Sequence, residues 1–188
     1  MSGQIHYQII ATDYGAAALA WTDRGIVRML LPAPDPRGVE EALLRRIPSA
    51  ERADVVDDQH IVSAILSIQA YFAGADVDFG GVPVSSELMS GEDGPIYAHV
   101  RELGYGETST YGTIATMLAL GAAGARRVGQ AMARNPVPLI IPCHRVLAAG
   151  GALGGFSGSG GTDTKRHMLE MEGVALAPPK PVQQDFGF

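Results

Sequence analysis

Cys143 is the only cysteine among 188 residues, and it stands in the run Pro142-Cys143-His144-Arg145-Val146. One cysteine excludes an intramolecular disulfide framework and any multi-cysteine zinc site. A lone cysteine is most often inert packing material, and a lone histidine is more often structural than catalytic. This pair is placed differently. The approach, Asn135-Pro136-Val137-Pro138-Leu139-Ile140-Ile141-Pro142, is apolar and carries three prolines that fix the backbone up to the thiol. An imidazole and a guanidinium follow at once, and cationic neighbours favour the thiolate, which is the nucleophilic form. The chemistry on offer is attack by a soft sulfur with a base beside it.

The elements that must hold this run can be read outward from it. Ahead of it, residues 125–134 have helical character and must stop by Asn135-Pro136. Residues 111–120 form another helix, with Thr108-Ser109-Thr110 supplying cap hydroxyls, and Gly121 and Gly124 make a tight turn between the two. Residues 96–103 form a third helix ending near Gly104. Two short helices about a glycine turn resemble a helix-turn-helix, a weak signal alone. On 125–134, Val128 and Met132 can face a core. Arg126, Gly129 and Ala133 then share another face, with Arg127, Gln130 and Arg134 alongside. Arginines beside small residues suit a helix laid closely against a phosphate backbone, and equally suit a solvated basic face.

The first half reads differently. Residues 5–11, 16–21 and 26–31 are strands separated by Asp13-Tyr14-Gly15 and Asp23-Arg24-Gly25. Residues 38–47 and 58–72 have helical spacing, the second with Ile61, Ile65, Ile68 and Phe72 on one face. Residues 77–84 suit one more strand, and 85–95, rich in serine, glycine and acid, a linker. The net charge of −6 argues against a polyanion partner only globally. Residues 1–95 hold 6 arginines and 14 acids, whereas 96–188 hold 8 basic and 6 acidic residues, so a local basic face remains available. Hydrophobic residues make up 46% and charged residues 18%, which excludes a disordered chain. No apolar run reaches the roughly 20 residues that span a bilayer, and the first ten residues lack signal-peptide character, so a soluble, cytoplasmic protein is expected.

The run at Cys143 resembles the active-site motif of the O6-alkylguanine-DNA alkyltransferases. Gly106-Glu107-Thr108, Tyr111, Ala125-Arg126 with Val128-Gly129, Asn135-Pro136-Val137-Pro138, the glycine-rich segment with Ser157, and Leu169 with Glu172-Gly173 follow in that family's order. The resemblance covers about residues 96–175; the N-terminal half is similar in layout only. It implies a ribonuclease-H-like α/β domain over 1–84, a mostly helical, winged-helix-like catalytic and DNA-binding domain over 92–175, and a flexible tail over 176–188. It also implies direct-reversal repair in which Cys143 takes the alkyl group from O6-alkylguanine, and from O4-alkylthymine as a further substrate, once per molecule. His144 would act as base through a water with Glu172 orienting it. Tyr111 would donate toward guanine N3, and Asn135 would brace the turn. Arg126 would fill the stack vacated by the flipped base. Thr110, Tyr111, Arg127, Gly129, Gln130, Ala133 and Arg134 would contact DNA. The carbonyls of Cys143 and Val146, with Tyr111, Phe156 and Ser157, would read the extruded guanine, and Arg145 would hold structure. No cofactor or metal is implied, and the cysteines of the family's zinc sensor domain are missing. The partner is alkylated duplex DNA, bound by a monomer that can load cooperatively.

Two positions depart from that pattern. Arg101 stands where the family has tryptophan, which puts the packing of its helix in question, and Phe156 replaces a tyrosine in the pocket loop. Residues 150–161 hold 7 glycines in 12, suggesting a loop that orders on DNA; with no Gly-Lys-Ser/Thr it is not a phosphate loop. The ending Gln183-Gln184-Asp185-Phe186-Gly187-Phe188 is similar to peptides that dock on sliding clamps. Two rivals stay open: a lesion-flagging relative that flips the base without transfer, whose members lack the cysteine, and a thiol hydrolase using Cys143 and His144. The second suffers because adjacent residues rarely aim at each other and no oxyanion hole stands out.

Overall fold

The computed structural model describes residues 3–176; the clamp-like ending lies outside them. Three antiparallel strands, β1 (His6–Thr12), β2 (Gly15–Thr22) and β3 (Gly25–Ala33), form successive hairpins, as the alternating apolar runs and intervening Asp/Gly turns require. Helix α1 (Pro36–Arg46) starts where the Asp35 carboxylate caps Arg37 N and Gly38 N. The sheet is completed by β4 (Glu51–Arg52), which pairs in parallel with β1 to give the order β3-β2-β1-β4. Residues 77–84 are therefore not the fourth strand: they carry one isolated bridge, Ile26 to Val84, because Pro83 lacks the donor a ladder needs. Helix α2 (Gln59–Phe72), capped by Asp58, buries Ile61, Ala64, Ile68, Tyr71 and Phe72.

The segment expected to be a linker is structured: α3 (Ser86–Ser90) leads directly into α4 (Gly94–Arg101). Ile96, Tyr97 and Val100 of α4 are buried, and Tyr97 Oη donates to Ala131 O at 3.1 Å. Arg101 resolves the first departure from the family pattern. Its Nη2 donates to the carbonyls of Val82 (2.7 Å), Gly80 (3.0 Å) and Phe79 (3.4 Å), so it ties α4 to the N-terminal half.

The two-residue strands β5 (Ser109–Thr110) and β6 (Val146–Leu147) pair in parallel and bring the start of α5 (Tyr111–Met117) to the residues after Cys143. Thr110 is the capping hydroxyl, accepting from Thr113 N at 3.0 Å. Helix α5 ends three residues earlier than its spacing suggests, where Ala119 turns left-handed at φ 52°. Helix α6 (Gly124–Arg134) follows. A Cβ at Gly124 would lie 2.7 Å from Ala115 Cβ, so glycine sets how closely the two helices cross. Helix α7 (Gly161–Met171) closes the domain. No helix among the described residues is long and apolar enough to cross a membrane.

Candidate active site

Asn135 builds the approach to the thiol. Its Oδ1 accepts from Val137 N at 3.0 Å and its Nδ2 donates to Ile141 O at 2.8 Å, clamping both ends of a turn. Inside that turn Leu139 is buried at φ 74°, a left-handed conformation that a leucine adopts only when its surroundings enforce it. The chain leaves through Pro142 into a short 3-10 turn, Cys143–Arg145. Cys143 is 6% exposed.

The thiol is not activated as its sequence neighbours suggest. Burial pushes its pKa above the ordinary value, against the opposing effects of an Asn135 hydrogen bond and the Lys165 charge. Arg145 faces the other way: its Nε and Nη2 donate to the two oxygens of Glu172, each at 2.9 Å, and its Nη1 donates to Leu103 O at 2.6 Å. The expected thiolate-favouring role of the residues that follow Cys143 is thus corrected. The resting sulfur is a thiol and needs a base.

His144 is fully buried, with Nε2 2.8 Å from Glu172 Oε1. Burial alone would raise the Glu172 pKa, but hydrogen bonds and charge from His144 and Arg145 bring it down to about 2, so the carboxylate is ionised and can only accept. The histidine proton therefore sits on Nε2. Burial also lowers the His144 pKa despite Glu172, so the ring rests neutral. Its Nδ1 is buried and has no hydrogen-bond partner among the described residues. A neutral imidazole with a free acceptor nitrogen is what a base acting through a water requires. Glu172 also accepts from Tyr71 Oη at 2.8 Å and Gly106 N at 3.1 Å.

Cys143 lies on a concavity of about 420 Å³ walled by Tyr111, Gly129, Met132, Phe156 and Ser157, of the size a small planar ligand needs. Tyr111 holds its proton: burial and the adjacent Cys143 raise its pKa. A Cβ on Gly129 would sit 4.0 Å from Tyr111 Cδ1, so α6 reaches the ring through a residue without a side chain. Gly154, at φ 68°, lets the glycine-rich loop lie on Tyr111; a Cβ there would meet the ring at 3.3 Å. Hydrogen bonds tie that loop to α6 and α7. Ser157 Oγ donates to Ala133 O at 3.0 Å, Ala148 N donates to Ala152 O at 2.8 Å, and Lys165 Nζ reaches Gly155 O at 3.4 Å. Phe156 supplies the aromatic wall without a hydroxyl.

Sequence reasoning missed Lys165 and Tyr71. Lys165 is fully buried on α7, donates to Val146 O at 2.6 Å and lies 5.8 Å above the Tyr111 ring. Burial brings its pKa down to about 8. The signal was present: Lys165, Met168, Leu169 and Glu172 follow the i, i+3, i+4, i+7 spacing of a buried face, with a charge at each end. On α6, Arg126 and Gln130 are exposed. Arg127 and Arg134 are not free as the basic-face reading supposes. Arg127 pairs with Glu92 at 2.8 Å, and Arg134 makes three hydrogen bonds to Asp93, at 2.9, 3.2 and 3.2 Å.

Comparison with known proteins places the chain in a family. Residues 94–174 match the family described as 6-O-methylguanine DNA methyltransferase, DNA binding domain. A Sulfolobus acidocaldarius protein named methylated-DNA–protein-cysteine methyltransferase is 32% identical over 172 residues, covering 92% of this chain and 96% of its own. A Thermus thermophilus protein named DNA base-flipping protein is 37% identical over 150 residues, covering 79% and 87%. Among solved structures, Mycobacterium tuberculosis OGT in complex with DNA is similar, with a TM-score of 0.63 and 27% identity over 89% of this chain and 93% of that one.

Proposed function

Because the chain belongs to the methylated-DNA–protein-cysteine methyltransferase family, we propose that it repairs duplex DNA by moving an alkyl group from O6 of guanine irreversibly onto Cys143. The observation that carries this reading is the thiol on a base-sized concavity, followed in the chain by a neutral His144 whose buried Nδ1 has no partner among the described residues. The sulfur attacks the alkyl carbon, a Cys143 S–C bond forms, and the C–O6 bond breaks with its electron pair left on guanine. The thiol proton passes through a water to His144, whose Nε2–H is held by Glu172. Tyr111 donates toward guanine N3, which lowers the cost of the leaving anion. The thioether is stable, so each molecule reacts once. O4-alkylthymine is a further substrate of the same chemistry.

The base reaches this concavity by leaving the stack. Arg126, exposed near the start of α6, fills the gap. Thr110, Gly129, Gln130 and Ala133 line the approach, and Arg127 and Arg134 exchange their carboxylate partners for phosphates. The carbonyls of Cys143 and Val146, with Phe156 and Ser157, read the guanine edge.

We read residues 1–84 as a ribonuclease-H-like domain, supported by the order β3-β2-β1-β4 with β1 and β4 parallel, and 92–175 as a winged-helix-like domain. The protein acts as a cytoplasmic monomer that can load cooperatively. A clamp-docking role for residues 183–188 rests on their sequence alone; unchanged clamp affinity after their deletion ends it.

Restoration of guanine in a duplex, read by cleavage at a restriction site that O6-methylguanine blocks, should stop at one lesion per protein molecule. Lesion-selective binding without restored cleavage would support the flagging rival instead.

A further inference from the structure

Cys143 borders two concavities. Met132, Ala133 and Ser157, which wall the base-sized one, also wall a larger cleft of about 700 Å³. Its far wall comes from the N-terminal half. Leu31 of β3 with Val39 and Ala42 of α1 make it apolar, and Arg28 and Arg46 make its end basic.

In-line displacement holds the sulfur, the alkyl carbon and O6 on one line, so a substituent longer than methyl must leave that carbon sideways. The cleft is space that borders Cys143 in addition to the base-sized concavity. The two arginines at its basic end are unmatched. Arg28 is half-buried, its Nε is buried with no hydrogen-bond partner, and neither Arg28 nor Arg46 pairs with a carboxylate among the described residues. Arg46 Nη1 donates only to its own helix, at Ala42 O, 2.8 Å. Burial and the nearby Arg46 both disfavour the charged form of Arg28, a cost that an anion between them would offset. Of the other charged groups on the cleft, Asp35 is committed to capping α1, at 3.0 Å from Arg37 N and Gly38 N, and Arg134 is committed to Asp93.

We propose that this cleft selects O6-guanine adducts whose substituent is an apolar chain ending in a carboxylate, with the chain against Leu31, Val39 and Ala42 and the carboxylate received by Arg28 and Arg46. The inference rests on the alkyl-transfer reading. The bonds made and broken are those of methyl transfer; the chain stays intact on the sulfur, its carboxylate in the cleft. A duplex phosphate is the alternative ligand, disfavoured because Arg28 is recessed within the cleft.

The test uses three duplexes, bearing O6-methylguanine, O6-(4-carboxybutyl)guanine or its neutral isostere O6-(4-carbamoylbutyl)guanine. Single-turnover transfer is followed by intact protein mass. The carboxylate should react faster than the amide by about tenfold, the size of one hydrogen bond to a charged group. Arg28→Gln with Arg46→Gln should bring that ratio to about one with methyl transfer unchanged, and Arg46→Gln alone, at an exposed position, should lower it. A wild-type ratio of one or less, or a ratio that survives the double substitution, overturns the proposal. So does equal slowing on all three duplexes, which would make the arginines phosphate contacts. Absence of methyl transfer by the wild type would instead bring down the alkyl-transfer reading, and this proposal with it.

Discussion

Replacing Glu172 by glutamine removes the charge on which five hydrogen bonds converge. Its Oε1 accepts from His144, Tyr71 and Arg145, and its Oε2 from Arg145 and Gly106, all between 2.8 and 3.1 Å. Glutamine has one accepting oxygen. In its gentler orientation the oxygen keeps the Oε1 position and the amide NH2 takes that of Oε2, where it confronts Arg145 Nε–H and Gly106 N–H. In the other orientation it confronts three donors. Either way the Arg145 guanidinium, 4% exposed, loses its counter-charge. Breaking a buried pair from one side costs about 3–5 kcal/mol. For a domain of this size each kcal/mol moves Tm by roughly 2–4 °C, so Glu172→Gln should melt roughly 6–20 °C below the wild type. Urea unfolding at neutral pH gives the free energy directly. Glu107→Gln, at an exposed carboxylate that accepts from Gly104 N at 2.8 Å, is the control and should cost less than about 1 kcal/mol. If Glu172→Gln costs no more than that control, the carboxylate does not hold the site together and the reasoning fails.

Tyr111→Phe removes the proton donor and keeps the ring, so transfer should slow by about 100-fold with DNA affinity retained; an unchanged single-turnover rate would remove Tyr111 from the chemistry. Lys165 is charged below about pH 8 and neutral above it, and its charge favours the thiolate. The rate advantage of wild type over Lys165→Met should therefore shrink as pH rises through that value; a ratio that is constant with pH would show that Lys165 acts through structure alone. Glu92→Gln with Asp93→Asn frees Arg127 and Arg134, so DNA should bind more tightly at low salt, because these arginines no longer leave a carboxylate to take a phosphate. Weaker binding would mean that the ion pairs position α6 for DNA.

The parts of the site that lie close in sequence were legible in it. Three prolines and Asn135 announce a fixed approach to Cys143, and the Thr110 cap and the Gly124 turn place α5 and α6. The long-range parts were not. Nothing near Arg145 says that it turns from the thiol toward Glu172, 27 residues on, because only the folded core decides which buried charge neutralises which. Lys165 was overlooked because a lysine on an apolar helical face reads as an interruption; its partners, Val146 O and the Tyr111 ring, come from other elements. The strand expected over residues 77–84 is reduced to one bridge, Ile26 to Val84, at Pro83. Residues 77–84 have strand-like composition, yet the parallel edge beside β1 goes to the two residues Glu51–Arg52, since α1 delivers them there.

The central claim is that Cys143 takes the alkyl group and keeps it. Intact-mass spectrometry after incubation with a duplex holding one O6-methylguanine tests it most directly. The wild type should gain about one methylene unit (roughly 14 Da) on a single residue that peptide mapping places at Cys143, with a thioether as reactive sulfur attack requires. Cys143→Ala should gain nothing while still binding the lesion. A wild-type mass that does not change, or an adduct on any residue other than Cys143, would contradict the account.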